Sequence, residues 1–287
     1  MTGHGRTSPE FGNADFGSRA QDITVRLEDL HARERQFWDE RANEQHNLVR
    51  QPVPMEVFNS RQRRPWHSYW TLYDRLLAQE IRGLRTLVVG SGYGDDAIRL
   101  ALGGAAVTAF DLCPGAVEIA KQRARNCHEL TLPVFVAAVE KMPFESKSFD
   151  LVLVNAVLHH CAFNEALAEI ARVVRLSGKI LIREPYMHSK LQKIRHSYVV
   201  RRLIGHRGAS QDERPLNENH IRLLRATFSE FRVAYLHGAS GRVIPEKWQS
   251  IVATEGWLHA RLPWLGAGTA AAIVAEAEPR DSDIDES

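Results

Sequence analysis

The spacing of three glycines and one acidic residue is the feature of this sequence that most clearly indicates a ligand-binding site. Gly90, Gly92 and Gly94 follow a buried apolar run at 85–89, and a helical pattern begins directly after them. A strand, a glycine turn and a helix place backbone N–H groups and the positive end of a helix beside a bound ligand. The alternative is a tight strand-to-helix turn that binds nothing.

The acid is Asp111, which ends the next apolar run about 20 residues beyond Gly90, where a ribose-binding carboxylate is expected. Its two oxygens can accept hydrogen bonds from both ribose hydroxyls. The alternative role is an N-cap for a helix starting near Pro114. A dinucleotide fingerprint would need glycine where Asp95 stands, and a P-loop would need Gly-Lys-Ser/Thr, which the sequence lacks.

The G-x-G-x-G loop resembles the S-adenosylmethionine (SAM) loop of class I methyltransferases, and three later segments agree with it. Residues 141–152 resemble the segment leading into the fourth strand, 157–160 (Val-Leu-His-His) the end of that strand, and 168–179 the helix and turn before the fifth. Together they are similar to the type 11 methyltransferases, which include ubiquinone-type, sugar and natural-product enzymes. The resemblance covers about 83–278 and implies SAM as methyl donor.

The resemblance also implies which residues hold the cofactor. They are Gly90, Ser91, Gly92, Gly94, Asp111, Leu112, Val139, Glu140 and Asn155. The chain departs from the family at two positions. The acid two residues before the first glycine is Val88 here, and the acid near the adenine aligns with Ala138, so that backbone or Glu140 would substitute. Both departures favour the alternative of a regulatory subunit that binds SAM without turnover.

A hydroxyl nucleophile benefits from a base with a pKa near neutrality, and histidine is suited to this role. His159 and His160 follow the predicted fourth strand, and Glu184 ends its neighbour. In some natural-product O-methyltransferases of similar pattern, the first histidine of this pair acts as the base. A carboxylate at the position of Glu184 orients that histidine. The resemblance therefore implies that His159 and Glu184 are catalytic. The alternative is that the histidines cap the next helix or only line the pocket.

Strands alternate with helices from 84 to 185, which predicts a parallel sheet with helices on both faces. The fold class is therefore α/β, a doubly wound, mostly parallel, seven-stranded Rossmann-like sheet. The predicted strands are 85–89, 106–110, 133–137, 150–155, 179–183, 230–236 and 270–276. The predicted helices between the first five strands lie near 95–103, 114–126 and 163–174.

The composition along the chain predicts segments around this domain, which spans 83–278. A disordered N-terminus (1–22) precedes a helical extension (23–82), which either caps the SAM pocket or packs on the sheet. The segment 186–216 is a predicted lid, and 279–287 a disordered acidic tail. The lid has six basic residues and no acid up to position 211: Lys190, Lys193, Arg195, Arg201, Arg202 and Arg207. They would face an anionic group on the acceptor, or else form a solvated helix face.

The chain of 287 residues has 44% apolar and 25% charged residues and a net charge of +2, values typical of a soluble protein and too neutral for a general polyanion binder. No apolar run reaches the length of a membrane span, and 1–6 lacks the apolar core of a signal peptide. Three cysteines without C-x-x-C spacing make a disulfide framework or zinc site unexpected and favour the cytoplasm. No metal cluster or nucleic-acid module is recognisable, and Asn155 lacks the Pro-Pro that follows it in adenine methyltransferases.

The sequence thus predicts methyl transfer from SAM to a small molecule, anionic or partly apolar, with the hydroxyl of a natural-product or quinone-like compound favoured. Methylation at carbon or nitrogen and a non-methylating reaction on the same fold are the enzymatic alternatives. The sequence gives no indication of the oligomeric state or of the identity of the acceptor.

Overall fold

A central sheet organises the chain in the computed structural model, which describes residues 13–64, 66–190, 213–236, 254, 257 and 261–280. Its strands are β1 (Arg85–Val89), β2 (Ala106–Asp111), β3 (Val134–Val136), β4 (Phe149–Asn155), β5 (Val174–Pro185), β6 (Phe228–Leu236) and β7 (Ala272–Pro279). Among the described residues they form one seven-stranded sheet in the order β3-β2-β1-β4-β5-β7-β6.

The sheet is parallel through its first five strands and antiparallel at one edge. β1 pairs in parallel with β2 and β4, while β7 lies between β5 and β6 and runs antiparallel to both. The predicted fold class is confirmed, and every predicted strand is present within a few residues. β5 is the longest because it continues past a register shift with β4, where Phe149 pairs with Val174.

Helices cover both faces and carry the connections between the strands. They are α1 (Asn13–Glu44), α2 (Glu56–Asn59), α3 (Ser68–Leu77), α4 (Asp95–Leu102), α5 (Pro114–His128), α6 (Phe163–Val173), α7 (Glu218–Thr227) and α8 (Pro263–Thr269). Short 3₁₀ turns at Val139–Lys141 and Leu158–His160 follow β3 and β4. These turns hold residues that the sequence predicts to be at the site.

The N-terminal helix α1 begins ten residues before the predicted start at Ile23 and takes in 13–22, which were predicted to be disordered. Disorder was predicted because this segment is rich in Gly, Ser, Asn and Asp. After Gly17, however, no glycine or proline interrupts the chain up to the end of the helix. The helix can therefore propagate backwards from its anchored part at small cost per residue.

Two apolar clusters fill the two sides of the sheet. One includes Val154, Ile182 and Tyr186 under α6 and α7. The other includes Val88, Trp70 and Tyr73 and lies under α3 and α4. Trp70 and Tyr73 are 5% and 0% exposed, so these aromatics of the extension pack against the sheet, as one of the two alternatives predicted.

Most of the predicted lid (191–212), the start of the N-terminal segment (1–12) and the end of the acidic tail (281–287) lie outside the described residues. The lid's described ends are anchored, because Tyr186 and Leu216 form a β-bridge and both are buried. Among the residues that the structure describes, no helix is both long and apolar enough to cross a bilayer.

Candidate functional site

The glycine loop bends sharply between β1 and α4 and requires glycine for two different reasons. Gly90, Gly92 and Gly94 have φ values of +61°, +49° and +87°, in the left-handed region that favours glycine. A Cβ on Gly90 would lie 2.4 Å from Cγ2 of Val157, and one on Gly94 would lie 3.0 Å from Cβ of Ala120. A Cβ on Gly92 would meet no atom within 4 Å, so the loop borders open space there.

That space is a cavity of about 420 Å³ at the carboxyl ends of the strands. Eight of the nine predicted cofactor-binding residues line it: Gly90, Ser91, Gly92, Asp111, Leu112, Val139, Glu140 and Asn155. Gly94 instead caps α4 and packs on Ala120, so that it shapes the loop from behind. The predicted catalytic His159 and Glu184 are absent from the wall, whereas His160 belongs to it.

Asp111 ties the end of β2 to the glycine loop. Its Oδ2 accepts a hydrogen bond from the backbone N–H of Gly92 at 2.8 Å, and its Oδ1 accepts one from Cys113 at 2.9 Å. Burial raises the pKa of Asp111, against the opposing effect of these backbone donors. Cys113 is the N-cap residue of α5, and its Sγ accepts from Ala116. Asp111 is therefore not the cap and keeps lone pairs toward the cavity.

A second carboxylate, Asp96 in the first turn of α4, stands where the loop meets β4. Its Oδ1 accepts from the hydroxyls of Tyr69 and Tyr73 at 2.5 and 2.6 Å, and its Oδ2 accepts from Nδ2 of Asn155 at 2.7 Å. Arg183 donates to Oδ1 of Asn155 at 2.9 Å. Asp96 and Tyr69 both line the cavity, although neither is among the predicted cofactor-binding residues.

Val88 and Ala138, the two departures from the family, have different surroundings. Val88 is 2% exposed and packs within the apolar cluster, so an acid at this position would be buried among aliphatic side chains. Ala138 lines the cavity beside Glu140. Both oxygens of Glu140 have protein partners: Oε2 is 3.0 Å from Nε2 of His31, and Oε1 accepts from the N–H of Ala162 at 2.9 Å.

The structure brings His159 and Glu184 into direct contact, with Nδ1 and Oε2 2.7 Å apart. Glu184 is fully buried, and its Oε1 accepts from the backbone N–H groups of Val157 and Leu158, each at 2.8 Å. Burial alone would lower the pKa of His159, but the hydrogen bond and negative charge of Glu184 outweigh burial and raise it. The family resemblance implied that this pair acts as base and orienter, and those roles remain a prediction.

His160 makes a second contact of the same kind, with the N-terminal helix. Its Nδ1 lies 3.1 Å from Oε2 of Glu34, and the indole N–H of Trp38 donates to the same oxygen at 3.1 Å. His31, Glu34 and Trp38 all line the cavity. Their spacing of three and four residues on one helix face is a sequence signal that could have identified them.

The cavity wall is acidic. Five of its residues, Glu34, Asp95, Asp96, Asp111 and Glu140, carry carboxylates, and the described part of the wall contains no Lys or Arg. Protein donors already bind each of these carboxylates, so none of them needs a ligand for compensation. Their summed negative charge nevertheless favours a ligand that carries positive charge.

Residues 87–182 match the model of a family described as a methyltransferase domain. This part of the chain is therefore similar to a methyltransferase domain. Phthiotriol/phenolphthiotriol dimycocerosates methyltransferase of Mycobacterium leprae is 29% identical over 188 residues, which cover 59% of this chain and 66% of that protein. Ubiquinone biosynthesis O-methyltransferase of Methylocella silvestris is 33% identical over 108 residues, which cover 38% of this chain and 40% of that protein.

The chain also shares its fold with a solved structure. Phosphoethanolamine N-methyltransferase 2 of Haemonchus contortus, solved with S-adenosylhomocysteine, has a TM-score of 0.55 at 15% identity over 86% of this chain and 60% of its own. This likeness concerns the fold alone. The chain spans about two thirds or less of the length of the curated relatives it matches.

SAM, the methyl donor of this family, fits the residues of the cavity. Its sulfonium and ammonium groups are cationic and suit a wall with five carboxylates. Ser91 on the glycine loop has a buried hydroxyl oxygen that lacks a hydrogen-bond partner among the described residues. A polar ligand group at the loop would supply that partner.

Proposed function

We propose that the chain binds SAM in this cavity and transfers its methyl group to an oxygen of a small molecule. The observation that carries the proposal is the contact of His159 with Glu184, directly behind His160 in the wall of an acidic cavity that also includes the glycine loop and Asp111. Gly90 to Gly92 receive the methionine part, and Asp111 accepts from the ribose. The name of the Methylocella relative, which includes O-methyltransferase, is consistent with an oxygen acceptor.

Asp96 compensates for the acid that Val88 replaces. Its carboxylate is at the cavity wall, in the first turn of α4, and is held by Tyr69, Tyr73 and Asn155. Four hydrogen-bonding groups fix its position, since Arg99 also approaches Oδ1 at 3.4 Å. A fixed negative charge at this point attracts the ammonium group of the cofactor without a contact from β1.

When bound, SAM supplies an electrophilic methyl group: the O–CH₃ bond forms as the CH₃–S bond breaks with its electron pair going to sulfur, and the hydroxyl proton goes to a base. His159 is that base. Glu184 accepts from Nδ1–H and so leaves Nε2 as the proton acceptor. Its charge also stabilises the imidazolium that forms, and alignment of the acceptor with the methyl group provides the rest of the acceleration.

The proposal is tested in two steps on the full chain. Isothermal calorimetry measures SAM and S-adenosylhomocysteine affinity, with Asp29→Ala, an exposed change on α1, as a matched control for Asp111→Ala. A panel of phenols, quinols and aliphatic alcohols is then incubated with SAM, and products are detected by mass spectrometry. A folded protein that binds neither SAM nor S-adenosylhomocysteine would contradict the proposal.

The second candidate is a SAM-binding subunit without turnover, which Val88 and Ala138 favour. It predicts SAM binding but no release of S-adenosylhomocysteine with any acceptor. Methyl transfer to a carbon or nitrogen atom is distinguished by the position of the new methyl group in the product.

Cys113, Cys127 and Cys161 are all free thiols, which supports location in the reducing cytoplasm.

A further inference from the structure

One end of the cavity lies at the carboxyl end of β3, and the strand order indicates which part of SAM it would face. In the described sheet β3 is followed by β2 and then by β1. With the methionine part at the loop after β1 and the ribose at Asp111 after β2, the adenine extends toward β3. The cavity-lining residues that follow β3 are Ala137, Ala138, Val139 and Glu140.

The side chains that follow β3 leave Glu140 as their single polar group. The carboxylate of Glu140 is already engaged, since its Oε1 accepts from the N–H of Ala162 at 2.9 Å and its Oε2 lies 3.0 Å from Nε2 of His31. Only 2% of the Glu140 side chain is exposed. Glu140 is therefore better placed to hold His31 than to replace the acid that is missing at Ala138.

His31, on the N-terminal helix α1, brings a second polar side chain to this end of the cavity. It lines the cavity, and its side chain is 20% exposed. Because a carboxylate only accepts hydrogen bonds, the Nε2 that faces Glu140 carries the proton of the neutral ring. Nδ1 is then an acceptor, and within the described part of the chain the ring has no hydrogen-bond partner besides Glu140.

The position of α1 over the adenine end is fixed from a second side. Asp39, about two turns after His31, accepts from Sγ of Cys113 at 2.7 Å and from the backbone N–H of Gly115 at 3.1 Å. Cys113 caps α5 and Gly115 lies in its first turn, shortly after the predicted ribose acid Asp111. The helix therefore passes from the start of α5 to the turn after β3, across the region where the adenine would lie.

We propose that His31, held by Glu140, recognises the adenine of SAM by accepting a hydrogen bond from its 6-amino group at Nδ1. His31 thus takes the role of the acid that Ala138 replaces. A base with a keto oxygen at this position would oppose two acceptors, and a base with hydrogen there would leave Nδ1 without a donor. This inference rests on the proposed function, since it assumes that SAM occupies the cavity.

The proposal connects the departure at Ala138 with the N-terminal extension. α1 precedes the segment 87–182 that matches the family model. The acceptor for the adenine moves from the turn after β3 to a helix that contacts this turn. Glu140 is then a positioning residue, because its carboxylate determines which nitrogen of His31 carries the proton.

The test compares S-adenosylhomocysteine with its analogue in which purine replaces adenine, because the two ligands differ only in the 6-amino group. Calorimetry on the full chain gives both dissociation constants, and their ratio is the adenine preference. The wild type should bind S-adenosylhomocysteine about fivefold more tightly than the purine analogue, the effect of one hydrogen bond. His31→Phe keeps an aromatic ring but removes both nitrogens, so the ratio should fall close to one.

Three further variants make this comparison specific. His46→Phe, the same change at an exposed histidine after α1, is the matched control and should keep the wild-type ratio. His31→Gln should retain part of the preference, because its amide can donate to Glu140 and accept from the amino group. Glu140→Leu should lower the ratio less than His31→Phe does. Thermal melts identify any loss of folding, and His31→Ala replaces His31→Phe if that variant does not fold.

Two results would overturn the inference while leaving SAM binding intact: a wild-type ratio near one, and an unchanged ratio in folded His31→Phe protein. A larger loss of preference in Glu140→Leu than in His31→Phe would also overturn it, because the amino group would then be bound by Glu140 itself. If the folded wild type binds neither ligand, the proposed function fails and this inference fails with it. The two kinds of failure are therefore distinguished.

Discussion

Nδ1 of His159 and Oε2 of Glu184 lie 2.7 Å apart in a region where the glutamate is fully buried. The other oxygen of Glu184 is held by the N–H groups of Val157 and Leu158, so the carboxylate cannot turn away from the imidazole. The pair joins the end of β5 to the 3₁₀ turn after β4. The orientation of the imidazole is therefore fixed before any acceptor binds.

Replacement of His159 by alanine should lower kcat by about 10²–10⁴, the usual contribution of a general base. SAM affinity should change little, because His159 lies outside the wall of the cavity. Steady-state kinetics and calorimetry on the same preparation test this, with exposed His46→Ala as the control. A near-full rate in His159→Ala at neutral pH would leave alignment as the main source of catalysis.

The pH profile should depend on Glu184. His159 must be neutral to act as a base, so the rate rises with pH through its pKa, which Glu184 raises. Glu184→Gln removes that charge and should move the acidic limb of kcat to lower pH. It should also reduce the maximum rate, because an amide N–H facing Nδ1 favours the wrong tautomer. Glu34, Glu213 and His160 also face His159, and an unchanged limb would assign the raised pKa to the carboxylates of Glu34 and Glu213.

The parts of the site that one local segment encodes could be predicted from sequence. The strand 85–89, the glycine loop and Asp111 follow from spacing, because a strand, a turn and a helix form from adjacent residues. The pairing of His159 with Glu184 came from resemblance, and the two side chains are in contact in the structure. Their chemical roles remain a proposal.

Contacts across long sequence distances could not be predicted. Glu34 meets His160 across more than a hundred residues, and Asp96 meets Tyr69 and Asn155 from two separate elements. The neighbouring sequence of Glu34 and of Asp96 predicts only a residue on a helix surface or in the first turn of a helix. Only the packing of α1 and α3 on the domain reveals their partners. The same lack of tertiary information placed the start of α1 too late.

Removal of the Asp111 carboxylate should weaken SAM binding by about 1–3 kcal/mol, the range for leaving a buried polar partner unpaired. Asp111 also holds Gly92 and Cys113, so part of the loss comes from loosening of the loop. Calorimetry with SAM and adenosine separates these contributions. If Asp111→Ala binds both as tightly as the wild type does, another residue accepts from the ribose.

Asp96 and its neighbour Asp95 provide a matched test of whether Asp96 compensates for the acid that Val88 replaces. Asp96→Asn should weaken SAM and S-adenosylhomocysteine by about 1–3 kcal/mol, because a buried charge facing the cofactor ammonium is lost. Asp95→Asn should have a smaller effect, since the Asp95 side chain is 43% exposed and is bound by Arg123. Equal effects of the two changes would argue against a specific role of Asp96.

Two glycines of the loop should respond differently to alanine. Gly90→Ala combines left-handed strain of about 1–2 kcal/mol with overlap against Val157, for which overpacking adds about 1–3 kcal/mol. Gly92→Ala has the strain but meets no atom within 4 Å, and its new methyl group borders the cavity. Gly90→Ala should therefore lower the free energy of unfolding, measured in urea, more than Gly92→Ala does. Relative to its loss of stability, Gly92→Ala should weaken SAM binding more than Gly90→Ala does. If Gly92→Ala keeps full SAM affinity in folded protein, the cofactor does not approach the backbone at this point of the loop.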